Sequence, residues 1–122
     1  MKNQTAWFEI PVKDIERAAT FYSGIFRFQL RIQRTGSSLM GSFSADGYAC
    51  TGNLISTEGH QLTDSGVLAC LSGWNDLSTI LGRVQDAGGE VVVPKTMITT
   101  EIGYVGVFLD TEGNRLALHS LG

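Results

Sequence analysis

The residues of this 122-residue chain able to hold a metal, move a proton or attack a substrate are few and scattered. Only two histidines occur, His60 and His119, and only two cysteines, Cys50 and Cys70. Each cysteine sits inside an apolar, strand-like segment, so both read as small buried hydrophobes before they read as a disulfide or a metal pair. His60 lies in a polar loop with no partner set around it. In Trp7-Phe8-Glu9-Ile10-Pro11-Val12, a period of two gathers Phe8, Ile10 and Val12 on one face and leaves Glu9 beside Trp7 on the other. A carboxylate against an indole is suited to proton transfer when burial or a neighbouring charge tunes it. No Gly-x-Gly-x-x-Gly, P-loop or Gly-x-Ser-x-Gly occurs, so phosphate cradling and serine-hydrolase chemistry have no support.

Composition limits what can position these groups. A chain of this length, 43% hydrophobic and 17% charged, builds one domain around one core, and fifteen glycines against two prolines favour strands and tight turns over a helical bundle. The formal net charge is −3 with the basic residues dispersed, which excludes the electrostatic footprint of a nucleic-acid binder. Apolar runs fall far short of the roughly 20 residues of a membrane span. The start Met-Lys-Asn-Gln-Thr lacks a signal peptide's apolar stretch, so the expectation is a cytoplasmic chain.

The order of elements is repetitive. After the first strand, Asp14 is placed to cap a helix whose Ile15, Ala18, Ala19, Tyr22, Ile25 and Phe26 share a face. Strand patterns follow at Phe28 to Arg34, Leu39 to Phe43 and Tyr48 to Ile55, separated by Thr35-Gly36-Ser37-Ser38 and Ala45-Asp46-Gly47. A polar loop covers 57–65, and the pattern then restarts. Val67 to Leu71 reads as a strand, Asn75 or Asp76 as a cap, and Leu77, Ile80, Leu81, Val84 and Ala87 as a helical stripe ended by Gly88-Gly89. Strands follow at Glu90 to Val93, Gly103 to Leu109 and Asn114 to Leu118, the last two joined across Asp110-Thr111-Glu112-Gly113. Gly103 and Gly106 inside a strand point to close backbone approach or a bulge. The expectation is an α+β fold: one domain over 1–122, with a βαβββ module at about 5–56 and a second at about 66–121. Paired modules form a curved mixed sheet around a cleft.

The opening Phe8-Glu9-Ile10-Pro11-Val12-Lys13-Asp14-Ile15-Glu16-Arg17-Ala18 with Phe21-Tyr22, and the close Phe108-Leu109-Asp110-Thr111-Glu112-Gly113-Asn114-Arg115-Leu116-Ala117-Leu118, resemble the two ends of the vicinal oxygen chelate superfamily. That is the glyoxalase, bleomycin-resistance and extradiol-dioxygenase group. The resemblance implies paired modules around a pocket, commonly in a homodimer. In metal-dependent members it also implies a divalent ion held by His and Glu side chains from the first and last strand of each module. Carried onto this chain, those positions fall at Trp7, near Gly52 or Asn53, near Val67 and near Ala117, none of them a strong ligand for a divalent ion. The expected reading is therefore no metal ligand set and no resident cofactor. Alternation from Trp7 and Ala117 lines the cleft with Trp7, Glu9, Arg115 and His119, and Asn53 and Tyr104 join them. Trp7, Asn53, Tyr104 and Arg115 are then the ligand-binding candidates for a small organic molecule, and Glu9 and His119 the catalytic candidates. A second reading keeps a divalent ion on an unconventional set such as Glu9, His119 and a residue of a partner chain. The chain would then be a lyase, resembling lactoylglutathione lyase, an isomerase or a dioxygenase.

Overall fold

Local chemistry sets the first module. The computed structural model describes residues 8–35, 38–43, 52–56 and 68–122. Strand β1 (Phe8–Pro11) runs into helix α1 (Ile15–Phe26), whose N-terminus is closed by Asp14, its carboxylate accepting from the Arg17 N–H at 3.1 Å. The helix stops where Arg27 turns left-handed, at φ 62°, with its N–H on the Ser23 carbonyl. That turn delays the next strand, so β2 (Arg31–Thr35) starts later than the apolar pattern from Phe28 suggests. Strands β3 (Ser38–Ser42) and β4 (Gly52–Ser56) complete the module. The turns around 36–37 and 45–47, the start of the expected fourth strand, the loop 57–65, Trp7, Cys50, His60 and Val67 lie outside the described residues.

The second module repeats the order with β5 (Ala69–Ser72), α2 (Ser78–Leu81), β6 (Glu90–Thr99), β7 (Gly103–Leu109) and β8 (Arg115–Ser120). The expected second helix is cut to four residues. Beyond Leu81 the Arg83 and Val84 N–H groups reach back only three residues, to Ile80 and Leu81, because Gly82 interrupts the helix with the residue least suited to it after proline. The apolar stripe survives, with Leu77, Ile80, Leu81 and Val84 all buried. Strand β6 is longer than its pattern suggests. It is an edge strand whose pairing with β7 slips around Pro94, where the missing N–H costs no ladder bond.

Each module contributes a four-stranded mixed sheet of the same topology, β1-β4-β3-β2 and β5-β8-β7-β6, with the first and last strands of each module parallel. The two sheets share one core. Ile10, Leu54, Leu116 and Leu118 pack with α1 and with Leu77, Ile80, Leu81 and Val84. Tyr22, Phe21 and Phe108 interlock at its centre, with ring centroids 4.9 to 6.5 Å apart. Gly106 is the close approach its position suggested, since a side chain there would strike Leu77 and Leu81. One residue expected to be buried lies elsewhere. Cys70 is exposed on the edge strand β5, its side chain on the face away from the core, which it shares with its register partner Ala117. Trp74 is 73% exposed, its backbone left-handed at φ 60° with the N–H held by the Ser72 hydroxyl. No helix among the described residues is long and apolar enough to cross a membrane.

Candidate functional site

Strand alternation decides which side chains leave the core. On β8, Leu116 and Leu118 enter the core, so Arg115, Ala117 and His119 stand on the opposite face. On β1, Ile10 enters the core and Glu9 faces away, directly beside its register partner Asn53 on β4. Ile55 and Ala117 confirm this sidedness, as both are buried hydrophobics that take no part in the core cluster.

Where β1 of the first module meets β5 and β8 of the second, a cleft of about 260 Å³ opens. One wall is Phe8, Glu9, Ile10 and Pro11; the other is Ala69, Asn114, Arg115 and Leu116. Phe8 is fixed by its ring packing over the bare Cα of Gly52, where a Cβ would collide with the ring, and by Phe43 at 5.9 Å. Asn114 ties the walls together, its side-chain amide donating to the Pro11 carbonyl at 2.7 Å. Arg115 is half-buried, and its guanidinium makes no hydrogen bond or ion pair among the described residues. The surface is mostly apolar, with one carboxylate and one uncommitted cation.

Behind the cleft lies a polar cluster that the sequence reading takes only for a turn. The buried Asp110 carboxylate accepts from the Glu112 and Asn114 N–H groups at 2.8 and 2.9 Å on one oxygen. Its other oxygen accepts from the Tyr22 hydroxyl at 2.7 Å and the Asn114 amide at 3.2 Å. Burial, then the Asp110 charge, pushes the Tyr22 hydroxyl pKa well up, so it stays a donor. Glu112 reaches across to the β1–α1 junction, accepting from the Lys13 and Asp14 N–H groups at 2.9 Å each, from Arg17 at 2.7 and 3.0 Å, and from Thr111 at 3.1 Å. Burial alone would raise this carboxyl; the donors, Arg17 foremost, outweigh it and bring its pKa from 4.5 to about 2. The available signal was Asp-Thr-Glu-Gly-Asn itself, which carries more carboxylate and amide than a hairpin needs to turn.

Of the residues singled out from sequence, the structure brings Glu9 and Arg115 together in the cleft and sets Asn53 beside Glu9. His119 shares the face of Arg115 but stands four residues along β8, about 13 Å away at the rise of a strand, and lines no part of the cleft. Its Nε2 donates to the Ile102 carbonyl at 2.6 Å. Tyr104 does not join them. It pairs with Ser120, packs against the core and carries the Lys95 ammonium over its ring at 4.5 Å, so it occupies the other face of the sheet.

Residues 4–118 match the Glyoxalase/Bleomycin resistance protein/Dioxygenase superfamily. The chain belongs to this superfamily. It is 27% identical over 121 residues to a glyoxylase-like domain-containing protein of Didymella fabae, covering 97% of this chain and 94% of that one. It is also 27% identical over 129 residues to the anthracycline biosynthesis protein DauV of Streptomyces sp. (strain C5), covering 96% of this chain but 46% of DauV, so it spans about half of that protein. A V278E glyoxalase I mutant from Zea mays shares the fold, with a TM-score of 0.71 at 16% identity over 94% of this chain and 45% of the maize one.

The superfamily implies a divalent ion in some members, and the described donors here do not fit one. No three His, Cys, Asp or Glu side chains converge among the described residues. The last-strand position is the methyl group of Ala117, and the Nε2 of His119 is committed as a donor.

Proposed function

We propose that this superfamily member binds a small organic molecule in the cleft between β1 and β8, without a metal ion to grip it. The observation that carries this reading is the cleft itself: two modules face one another across walls that are apolar except for Glu9, Asn114 and Arg115. A mostly apolar concavity with a few convergent polar groups is the usual build of a small-molecule site. Within it, Glu9 is the group able to accept a hydrogen bond or a proton from the ligand. The name of DauV points to polycyclic aromatic compounds as the first probes. A homodimer belongs to the same reading, with Met97, Ile98 and Ile102 as exposed apolar residues for a second copy to cover.

The test is nuclear magnetic resonance titration of the full chain with a hydroxyanthraquinone and with a set of aromatic fragments, light scattering on the same sample giving its mass. Shifts concentrated at Phe8 to Pro11, Ala69 and Asn114 to Leu116 are expected. Shifts spread over the surface, or one equivalent of Ni, Zn, Fe or Mn retained on purification and lost in Glu9→Ala, would overturn it.

A further inference from the structure

Resting on that reading of the cleft, we infer that its ligand is an organic monoanion: an apolar body carrying a single negatively charged oxygen group, which Arg115 pairs. Arg115 is half-buried on β8 and lines the cleft, yet its guanidinium bonds to nothing among the described residues. Two other arginines are engaged in holding the fold, Arg17 on Glu112 and Arg83 on the Ile25 carbonyl. The guanidinium of a half-buried cleft arginine, left without an acceptor among the described residues, is a fork of donors shaped for a carboxylate or an ionised phenol. Arg115 gains more from such a partner here than it would on an open surface, because Phe8, Ile10, Pro11, Ala69 and Leu116 replace much of the surrounding water.

The same walls set the rest of the ligand. The apolar lining accommodates a hydrophobic body, and Arg115 offers it a single positive charge to meet. A dianion or a phosphate ester is therefore disfavoured, and so is a small inorganic anion that would leave the apolar walls wet. The class that remains is an aromatic carboxylic acid or an acidic phenol.

Isothermal titration of the full chain with naphthoate and with its neutral, near-isosteric amide naphthamide separates charge recognition from apolar burial. The wild type should prefer naphthoate by at least about tenfold, with affinity falling as salt rises. In Arg115→Gln the preference should collapse to about twofold or less while naphthamide binding is retained, and Arg115→Lys should restore part of it. The Arg115 side chain bonds to nothing among the described residues, so the melting temperature of these variants should match the wild type and separate lost recognition from lost structure. Equal affinity for the two probes in the wild type, or an undiminished preference in Arg115→Gln, overturns the anion inference while the cleft reading stands. Failure of both probes to bind the wild type overturns both.

Discussion

Glu112 keeps a full negative charge with none of its side-chain surface exposed, and it does so because five donors converge on two oxygens. A carboxyl whose pKa falls from 4.5 to about 2 on folding stabilises the native state most above pH 4.5, and that contribution drains away as protons bind between pH 4.5 and 2. The size is at most about 3 kcal/mol, an upper bound because the half-exposed Arg17 end is screened by salt. Urea melts between pH 7 and pH 3 should show this loss in the wild type, and Glu112→Gln should be less stable at pH 7 with a flatter profile across the same window. A wild-type acid limb unchanged in Glu112→Gln would assign the effect to other carboxylates. Sequence alone could not reveal this contact. Glu112 and Arg17 are separated by 95 positions, and in isolation each reads as an ordinary exposed charge.

At the scale of elements, the pattern-driven parts were legible and the backbone-driven parts were not. Helix α1 follows from Asp14 and its apolar spacing, and β7 from its apolar run, since burial periodicity and caps are local properties. Helix α2 was overestimated, for its stripe persists through turns that bury the same face. Strand β6 was cut short at Pro94, because edge position is a property of the assembled sheet. For the site, alternation puts Glu9 and Arg115 on the face away from the core, as expected of side chains that line a cleft, whereas Tyr104 lies on the core face because the register of β7 against β8 is set by pairing. Two glycines with positive φ show how differently the same backbone requirement can be enforced. Gly113, at φ 88°, has nothing within 4 Å of a prospective Cβ, so Gly113→Ala should cost only the left-handed strain of about 1 kcal/mol. Gly103, at φ 101°, opens β7, and a Cβ there would land on the Ser120 carbonyl oxygen and crowd Leu121. Gly103→Ala should therefore cost more than about 2 kcal/mol in a denaturant melt, since strain and collision add. Equal losses in the two variants would mean the β7–β8 end relaxes freely.

The whole molecule is tied across its duplication by the same residues that shape the cleft. Tyr22 in α1 donates to Asp110 at the end of β7, Asn114 before β8 donates to Pro11 of β1, and Glu112 holds the β1–α1 junction. Each bond joins one module to the other, and the core runs without a break between Leu54 and Leu118. Neither four-stranded sheet has a core of its own to retreat to, so the modules should open as a single cooperative unit. Tyr22→Phe tests this with little change of shape. It removes one of the two donors on the Asp110 oxygen that the Asn114 amide shares and should cost about 1 to 3 kcal/mol. Hydrogen exchange should then show the slowest amides of β4, such as Leu54, and of β8, such as Leu118, losing protection by one common factor of about 5- to 150-fold. If one module kept wild-type protection while the other lost it, the halves would be separate folding units and the cleft a hinge between them. A common factor makes the walls of the cleft one rigid frame, and Glu9 and Arg115 then meet a ligand at a fixed separation.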